Sequence, residues 1–134
     1  MANSVFVLGV WDLFHKGHQV LIKKASKLGD LTVGVVRDSA VKLQKGEDRP
    51  IYSEADRMGL IADLAYVKKV ILVDGFFIPQ DIISTYDVIL IGEDQSHITN
   101  LVNIPFDKIF KLPRYAGVST SDIVKRIKGE EKTQ

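Results

Sequence analysis

The sequence predicts an α/β fold: a single Rossmann-like, doubly wound sheet of about five parallel strands with helices on both faces. Three observations predict it. Short apolar runs recur along the chain, as buried parallel strands require. Amphipathic stretches of helical period separate them, as crossover helices do. The 134 residues suit one core and contain no internal repeat, low-complexity tract or linker.

Each element has a local reason. Val5 to Gly9 is the first strand. Lys16 to Leu28 reads as a helix, with Leu21, Ala25 and Leu28 on one face and Gly29 as its C-terminal stop. Leu31 to Val36 is the second strand. The connection from Asp38 to Tyr52 is polar, carries Lys42, Lys45 and Arg49, and is long for a loop in such a fold, a length often tied to function. Ser53-Glu54-Ala55-Asp56 resembles a capping box that opens a helix containing Met58, Ile61, Ala62 and Ala65. Strands follow at Lys69 to Val73, Val88 to Ile91 and Lys108 to Leu112. Ser119-Thr120-Ser121-Asp122 caps a last helix that turns Ile123, Val124 and Ile127 to the sheet, and Gly129 to Gln134 are expected to fray.

Composition narrows the function. The chain is 46% hydrophobic and 26% charged, which is globular. Its net charge is +1, with 9 basic and 8 acidic residues through Val67 and 9 of each beyond it. That balance argues against nucleic acid as a partner. The absence of cysteine excludes disulfides, zinc–thiolate sites and thiol nucleophiles, and leaves His15, His18 and His97 for imidazole chemistry. The apolar runs are too short to span a bilayer, and Met1-Ala2-Asn3-Ser4 lacks the pattern of a signal peptide, so no membrane partner and a cytoplasmic location are the expectation.

In an open parallel sheet the site lies outside the carboxyl ends of the strands, where the strand order switches direction. The segment after the first strand reads Gly9-Val10-Trp11-Asp12-Leu13-Phe14-His15-Lys16-Gly17-His18. His15 and His18, three residues apart, share a face of the first helical turn, beside its backbone N–H groups and the positive end of its dipole. Gly17 has no side chain to obstruct an anion there. Such a turn suits a phosphate, with the imidazoles donating to its oxygens as charge moves during transfer. Ordinary surface or core histidines, or a metal pair, are the alternatives. Trp11 and Phe14 read as packing residues rather than base stackers, and His97 as a surface residue.

These residues resemble the His-x-Gly-His signature of the nucleotidyltransferase superfamily that includes the cytidylyltransferases. Arg114-Tyr115-Ala116-Gly117-Val118-Ser119-Thr120-Ser121 resembles its second signature, Arg-Thr-x-Gly-Ile/Val-Ser-Thr-Thr. The resemblance spans about Val5 to Ile127, and the short length is most like the glycerol-3-phosphate cytidylyltransferases. Catalytic roles are implied for His15, His18, Lys45 and Arg114, which would meet phosphate oxygens. Nucleotide contacts are implied for Gly9, Val10, Asp12, Gly17, Arg57, Asp94, Ser119 and Thr120. Asp12 would organise the loop or the metal, and Asp94, in Gly92-Glu93-Asp94-Gln95, would contact the nucleotide or Mg²⁺. The family implies Mg²⁺ as cofactor, CTP and a small phosphorylated alcohol as partners, and a homodimer. For each residue the plain alternative stands beside the implied role: Lys45 and Arg57 as solvated charges, Asp12 and Asp94 as turn residues, Ser119 as a helix cap.

The implied reaction is CMP transfer from CTP to a phosphorylated alcohol, glycerol 3-phosphate first, with release of pyrophosphate. Its nucleophile is already an anionic phosphate oxygen, so no general base or covalent intermediate is needed. Alignment and charge cancellation are needed, and Lys, Arg, His and helix dipoles supply them. The sequence departs from the family pattern in three places, the first of them the turn where Val10 and Trp11 stand. Val10 has no hydroxyl, Tyr115 and Ser121 replace threonines, and Tyr66-Val67-Lys68-Lys69-Val70 lacks an acidic pair found in many relatives. Choline- or ethanolamine-phosphate cytidylyl transfer, or adenylyl transfer to a sugar phosphate, remain alternatives. A degenerate nucleotide-binding module is another. A phosphoacceptor receiver domain is a rival of a different class, with Asp74 after the third strand and Lys111 near the fifth.

Overall fold

The computed structural model describes residues 3–92 and 98–112. Five strands, β1 (Asn3–Gly9), β2 (Gly29–Val36), β3 (Lys69–Val73), β4 (Val88–Gly92) and β5 (Ile109–Leu112), form one parallel sheet in the order β3-β2-β1-β4-β5. The expected α/β fold is thus observed, and every expected strand is present to within two residues.

Four α-helices are described among these residues: α1 (Lys16–Ser26), α2 (Asp38–Lys45), α3 (Glu54–Ala62) and α4 (Gln80–Thr85). Side chains alternate across the sheet with the two-residue period of a strand. Val5, Val7, Leu31, Val33, Val35 and Leu90 face one side, where Ile22 and Ala25 of α1 and Ile61 of α3 cover them. Phe6, Leu8, Ile89 and Ile91 face the other, under Val41 of α2 and Ile82 and Ile83 of α4. Helices therefore pack on both faces, as a doubly wound sheet requires.

Two expectations are corrected. The stretch from Asp38 is not all loop: its first eight residues form α2, which anchors through the fully buried Val41. Its polar remainder conceals the period in the sequence. Gly29 does not act only as a stop after α1. It opens β2 beside Asn3, where an added Cβ would come within 2.1 Å of the Asn3 carbonyl oxygen. The Ser53 cap is observed, its hydroxyl accepting from the Asp56 amide at 3.2 Å, although α3 ends before Ala65. The last helix expected after Ser119, and the Gly129–Gln134 tail, lie outside the described residues.

Strand order also decides against the receiver reading. A receiver-type sheet runs 2-1-3-4-5, with β3 central, whereas here β3 is an edge and β1 lies between β2 and β4. Asp74, the candidate phosphoacceptor, is paired with Arg37 at 2.7 Å. The order reverses between β1 and β4, so the turn after β1 stands at the switch point. Among the described residues, no helix is long and apolar enough to cross a membrane.

Candidate active site

The turn from β1 into α1 is built around Trp11, the chain's one tryptophan. Trp11, Leu13 and Phe14 all have positive φ (61°, 61° and 26°), a costly conformation for residues with side chains. Buried contacts hold the turn there. The Trp11 indole Nε1–H donates to the Gly34 carbonyl at 2.9 Å, and the side chain is 2% exposed. Gly9 makes room for the ring, since a Cβ there would meet Trp11 Cε2 at 2.6 Å. Trp11 is thus a packing residue, as its sequence context indicates.

His15 and His18 stack at the N-terminus of α1, ring centroids 3.8 Å apart and planes 23° from parallel, with the Trp11 indole edge-on to His18 at 5.4 Å. His15 is the N-cap residue: its Nδ1 accepts the Gly17 amide at 3.0 Å. A neutral His15 therefore carries its proton on Nε2, the nitrogen that can donate. The Gly17 amide is engaged by this cap, while the position still carries no side chain to obstruct an anion. Burial, with lesser contributions from neighbouring His15 and Lys45, lowers the His18 pKa from 6.5 to about 3. His18 is accordingly neutral at physiological pH. Lys45, the last residue of α2, is also lowered from its usual value by burial and then by Arg49, against an opposing pull from Asp12. These effects bring Lys45 of the α2–α3 connection into the electrostatic neighbourhood of the histidine pair.

Two expected ligand residues hold the scaffold instead. The fully buried Asp12 carboxylate accepts the Ile51 amide at 2.7 Å and the Tyr52 amide at 2.9 Å, one on each oxygen. It thus fastens the segment before α3 to the first turn. Arg57 is 0% exposed, and its guanidinium donates to the carbonyls of Tyr52, Val10 and Val36 and to the Asp38 carboxylate. Expected at the nucleotide, it is a tie between the ends of β1 and β2 and the starts of α2 and α3. Val10 contributes its carbonyl to this tie, which makes no use of a side-chain hydroxyl. Glu54 completes the frame by accepting the Asp38 amide at 2.8 Å. Sequence reading missed this framework because its partners lie up to 47 residues apart.

Asp94, Arg114, Ser119, Thr120, and His97 with them, lie outside the described residues. Among those described, no group of three or more His, Asp or Glu residues is arranged to hold a metal ion. Asp12 does not fit that role, because both its oxygens accept backbone amides inside the protein.

Against known proteins, the cytidylyltransferase-like family model matches residues 6–126. The chain belongs to that family. This cytidylyltransferase-like chain is 38% identical over 128 residues to the bifunctional protein HldE of Helicobacter pylori (strain Shi470), covering 92% of this chain and 27% of that protein. It is 35% identical over 131 residues to the HldE of Campylobacter fetus subsp. fetus (strain 82-40), covering 95% and 28%. It thus spans about a quarter of the length of these relatives. Among solved structures it is similar to a lipopolysaccharide core biosynthesis protein from Thermoplasma volcanium GSS1, with a TM-score of 0.64, 30% identity, and coverage of 86% of this chain and 99% of the other. The expected superfamily is therefore correct.

Proposed function

We propose that this cytidylyltransferase-like protein transfers the nucleoside monophosphate group of a nucleoside triphosphate to a small phosphorylated sugar, with release of pyrophosphate. The observation that carries the reading is the stacked His15–His18 pair at the head of α1, at the switch point of the sheet, with Lys45 close enough to perturb it. The acceptor's phosphate oxygen forms a bond to the α-phosphorus. The bond from that phosphorus to the bridging oxygen breaks, and its electron pair leaves with pyrophosphate. No proton need be removed from the nucleophile. The work left to the protein is to align two repelling anions and offset charge on the departing group. His15 donates through Nε2, and neutral His18 sits beside it. Lys45 opposes the pyrophosphate charge, with Mg²⁺ arriving bound to the triphosphate.

A sugar phosphate is favoured over glycerol 3-phosphate because the similar solved structure is a lipopolysaccharide core biosynthesis protein, and that core is built of sugars. The superfamily that the sequence resembles also contains adenylyltransferases acting on sugar phosphates, so ATP is the first donor to test. The second reading, CTP with glycerol 3-phosphate, is favoured by the Arg114–Thr120 segment. We place the reaction in the cytoplasm, where nucleoside triphosphates are abundant, and in a homodimer, in which a small domain gains buried surface.

The test is pyrophosphate release from ATP and CTP, each paired with sugar 1-phosphates and with glycerol 3-phosphate. The expected result is release with ATP and a sugar 1-phosphate, lost in His18→Ala. Silence from every pair would reject the enzyme reading in favour of a nucleotide-binding module.

A further inference from the structure

Arg49 lies between α2 and α3, in the segment that Asp12 fastens through the amides of Ile51 and Tyr52. Only 10% of its side chain is exposed, an unusual degree of burial for a permanently charged group. Its Nε stands 3.9 Å from Asp12 Oδ2, within ion-pair range but beyond a hydrogen bond. Among the described residues, that buried Nε makes no hydrogen bond. The contrast with Arg57 is informative. Arg57 is even more enclosed, yet its guanidinium is matched by three carbonyls and a carboxylate. Burying a guanidinium and leaving a donor unmatched costs stability, and an apolar side chain would avoid that cost.

Asp12 accounts for only part of this placement. Each of its oxygens already accepts a backbone amide, and its single charge faces Arg49 with Lys45 nearby. Lys45 and Arg49 act on each other as like charges, and Lys45 acts likewise on His18. Two cations and two imidazoles thus share one neighbourhood with one carboxylate. Such a grouping is unfavourable when empty and suits a multiply charged anion.

We propose that Arg49 is a polyphosphate-contacting residue of the candidate active site, its guanidinium meeting the anionic group that Lys45 also meets, with Asp12, 3.9 Å from its Nε, as its positioning partner. The inference rests on the nucleotidyl-transfer reading and adds to it a residue on the leaving-group side. A guanidinium presents a planar fork to phosphate oxygens that an ammonium cannot reproduce.

The test is calorimetric titration of the full chain with inorganic pyrophosphate and with tripolyphosphate, comparing wild type, Arg49→Lys and Arg49→Gln. Lys68→Gln, at the amino end of the sheet, is the control. Loss of one charge-assisted contact predicts about a tenfold weaker affinity for Arg49→Gln. Arg49→Lys should be several-fold weaker with a melting temperature near that of wild type, and Lys68→Gln should bind normally. Wild-type affinity in Arg49→Lys would overturn the proposal, even if Arg49→Gln failed to fold, as would Arg49→Gln melting lower while binding normally. No binding by wild type would also overturn it. Pyrophosphate release from the same preparations keeps the outcomes distinct: turnover with unchanged polyphosphate affinity in the Arg49 variants removes Arg49 from the site and leaves the enzyme reading standing.

Discussion

Replacing Arg57 with alanine removes the tie that joins β1, β2, α2 and α3. The four bonds it makes are not equal. That to Val36 is buried, whereas those to Val10, Tyr52 and Asp38 border partly accessible space that water can enter. Counting each as a full charged hydrogen bond would give about 6–12 kcal/mol, more than relaxation would allow to persist. The Val36 carbonyl carries the full penalty and the other groups a reduced one, so we expect a loss of about 3–5 kcal/mol, in line with breaking a buried ion pair. With an unfolding entropy near 2.1 cal/mol/K per residue, the melting temperature falls by about 10–18 °C. Arg57→Lys keeps the charge near Asp38 but cannot span three carbonyls, and should recover less than half of the loss. Thermal unfolding followed by circular dichroism measures both, and hydrogen exchange at the Ile51 and Tyr52 amides reports the loop. If Arg57→Ala melts within about 3 °C of wild type, the tie does not hold the scaffold. If Arg57→Lys melts normally but loses nucleotide binding, the guanidinium belongs to the ligand and the structural assignment is refuted.

Asp12→Asn leaves one carbonyl oxygen for two amides and removes the counter-charge beside Arg49, so it should cost about 2–4 kcal/mol in urea unfolding, with the Ile51 or Tyr52 amide losing exchange protection. A variant as stable as wild type would contradict the fastening role. His18, lowered to about 3, is neutral when folded and has an ordinary pKa near 6.5 when unfolded. The unfolded chain therefore binds the proton first, and the stability held above pH 6.5 is lost as pH falls toward 3, by up to about 1.4 kcal/mol per pH unit. Stability measured from pH 7 to pH 4 should fall more steeply in wild type than in His18→Gln; parallel curves would show that burial does not depress this group. Gly9→Ala pushes a methyl against the Trp11 ring and should cost about 1–3 kcal/mol with a changed indole emission, whereas unchanged emission and stability would mean that the turn is looser than described.

Strands were legible because their signal is local. Val5–Gly9 or Lys69–Val73 announces itself by composition, and the crossover rule then requires helices between parallel neighbours. α2 escaped because two helical turns need only one buried anchor, Val41, and the rest of Asp38–Lys45 is as polar as a loop. α4 is shorter still, and its two buried isoleucines are adjacent and show no helical period. In the site, the histidine pair was legible because both partners stand three residues apart behind a strand. Arg57 was misread because a sequence shows an arginine but not what it faces. Carbonyls from distant elements meet it only after the sheet has formed, as the amides of residues 51 and 52 meet Asp12.

The same distinction explains how a nearly neutral chain could hold the proposed anion site. Backbone groups in the irregular segments around β1 must find partners, and Asp12, Glu54, Asp38 and Arg57 supply them. That framework carries three negative charges and one positive. Of these carboxylates, Asp12 is the one that acts on Lys45 and Arg49, whose two positive charges outnumber it, and Arg49 retains an unmatched donor among the described residues. Scaffold and site are therefore complementary: the Asp12 carboxylate that holds the loop in place also reduces the electrostatic cost of keeping two cations together. If this is right, Asp12→Asn and Arg49→Gln should not have additive effects on stability. Once the carboxylate is gone, removing the guanidinium relieves repulsion with Lys45, and the double variant should be less destabilised than the sum of the singles by about 0.5–3 kcal/mol. Strict additivity in a double-mutant cycle would show that loop anchoring and charge placement are independent, and would sever the proposed link between the fold of this loop and its chemistry.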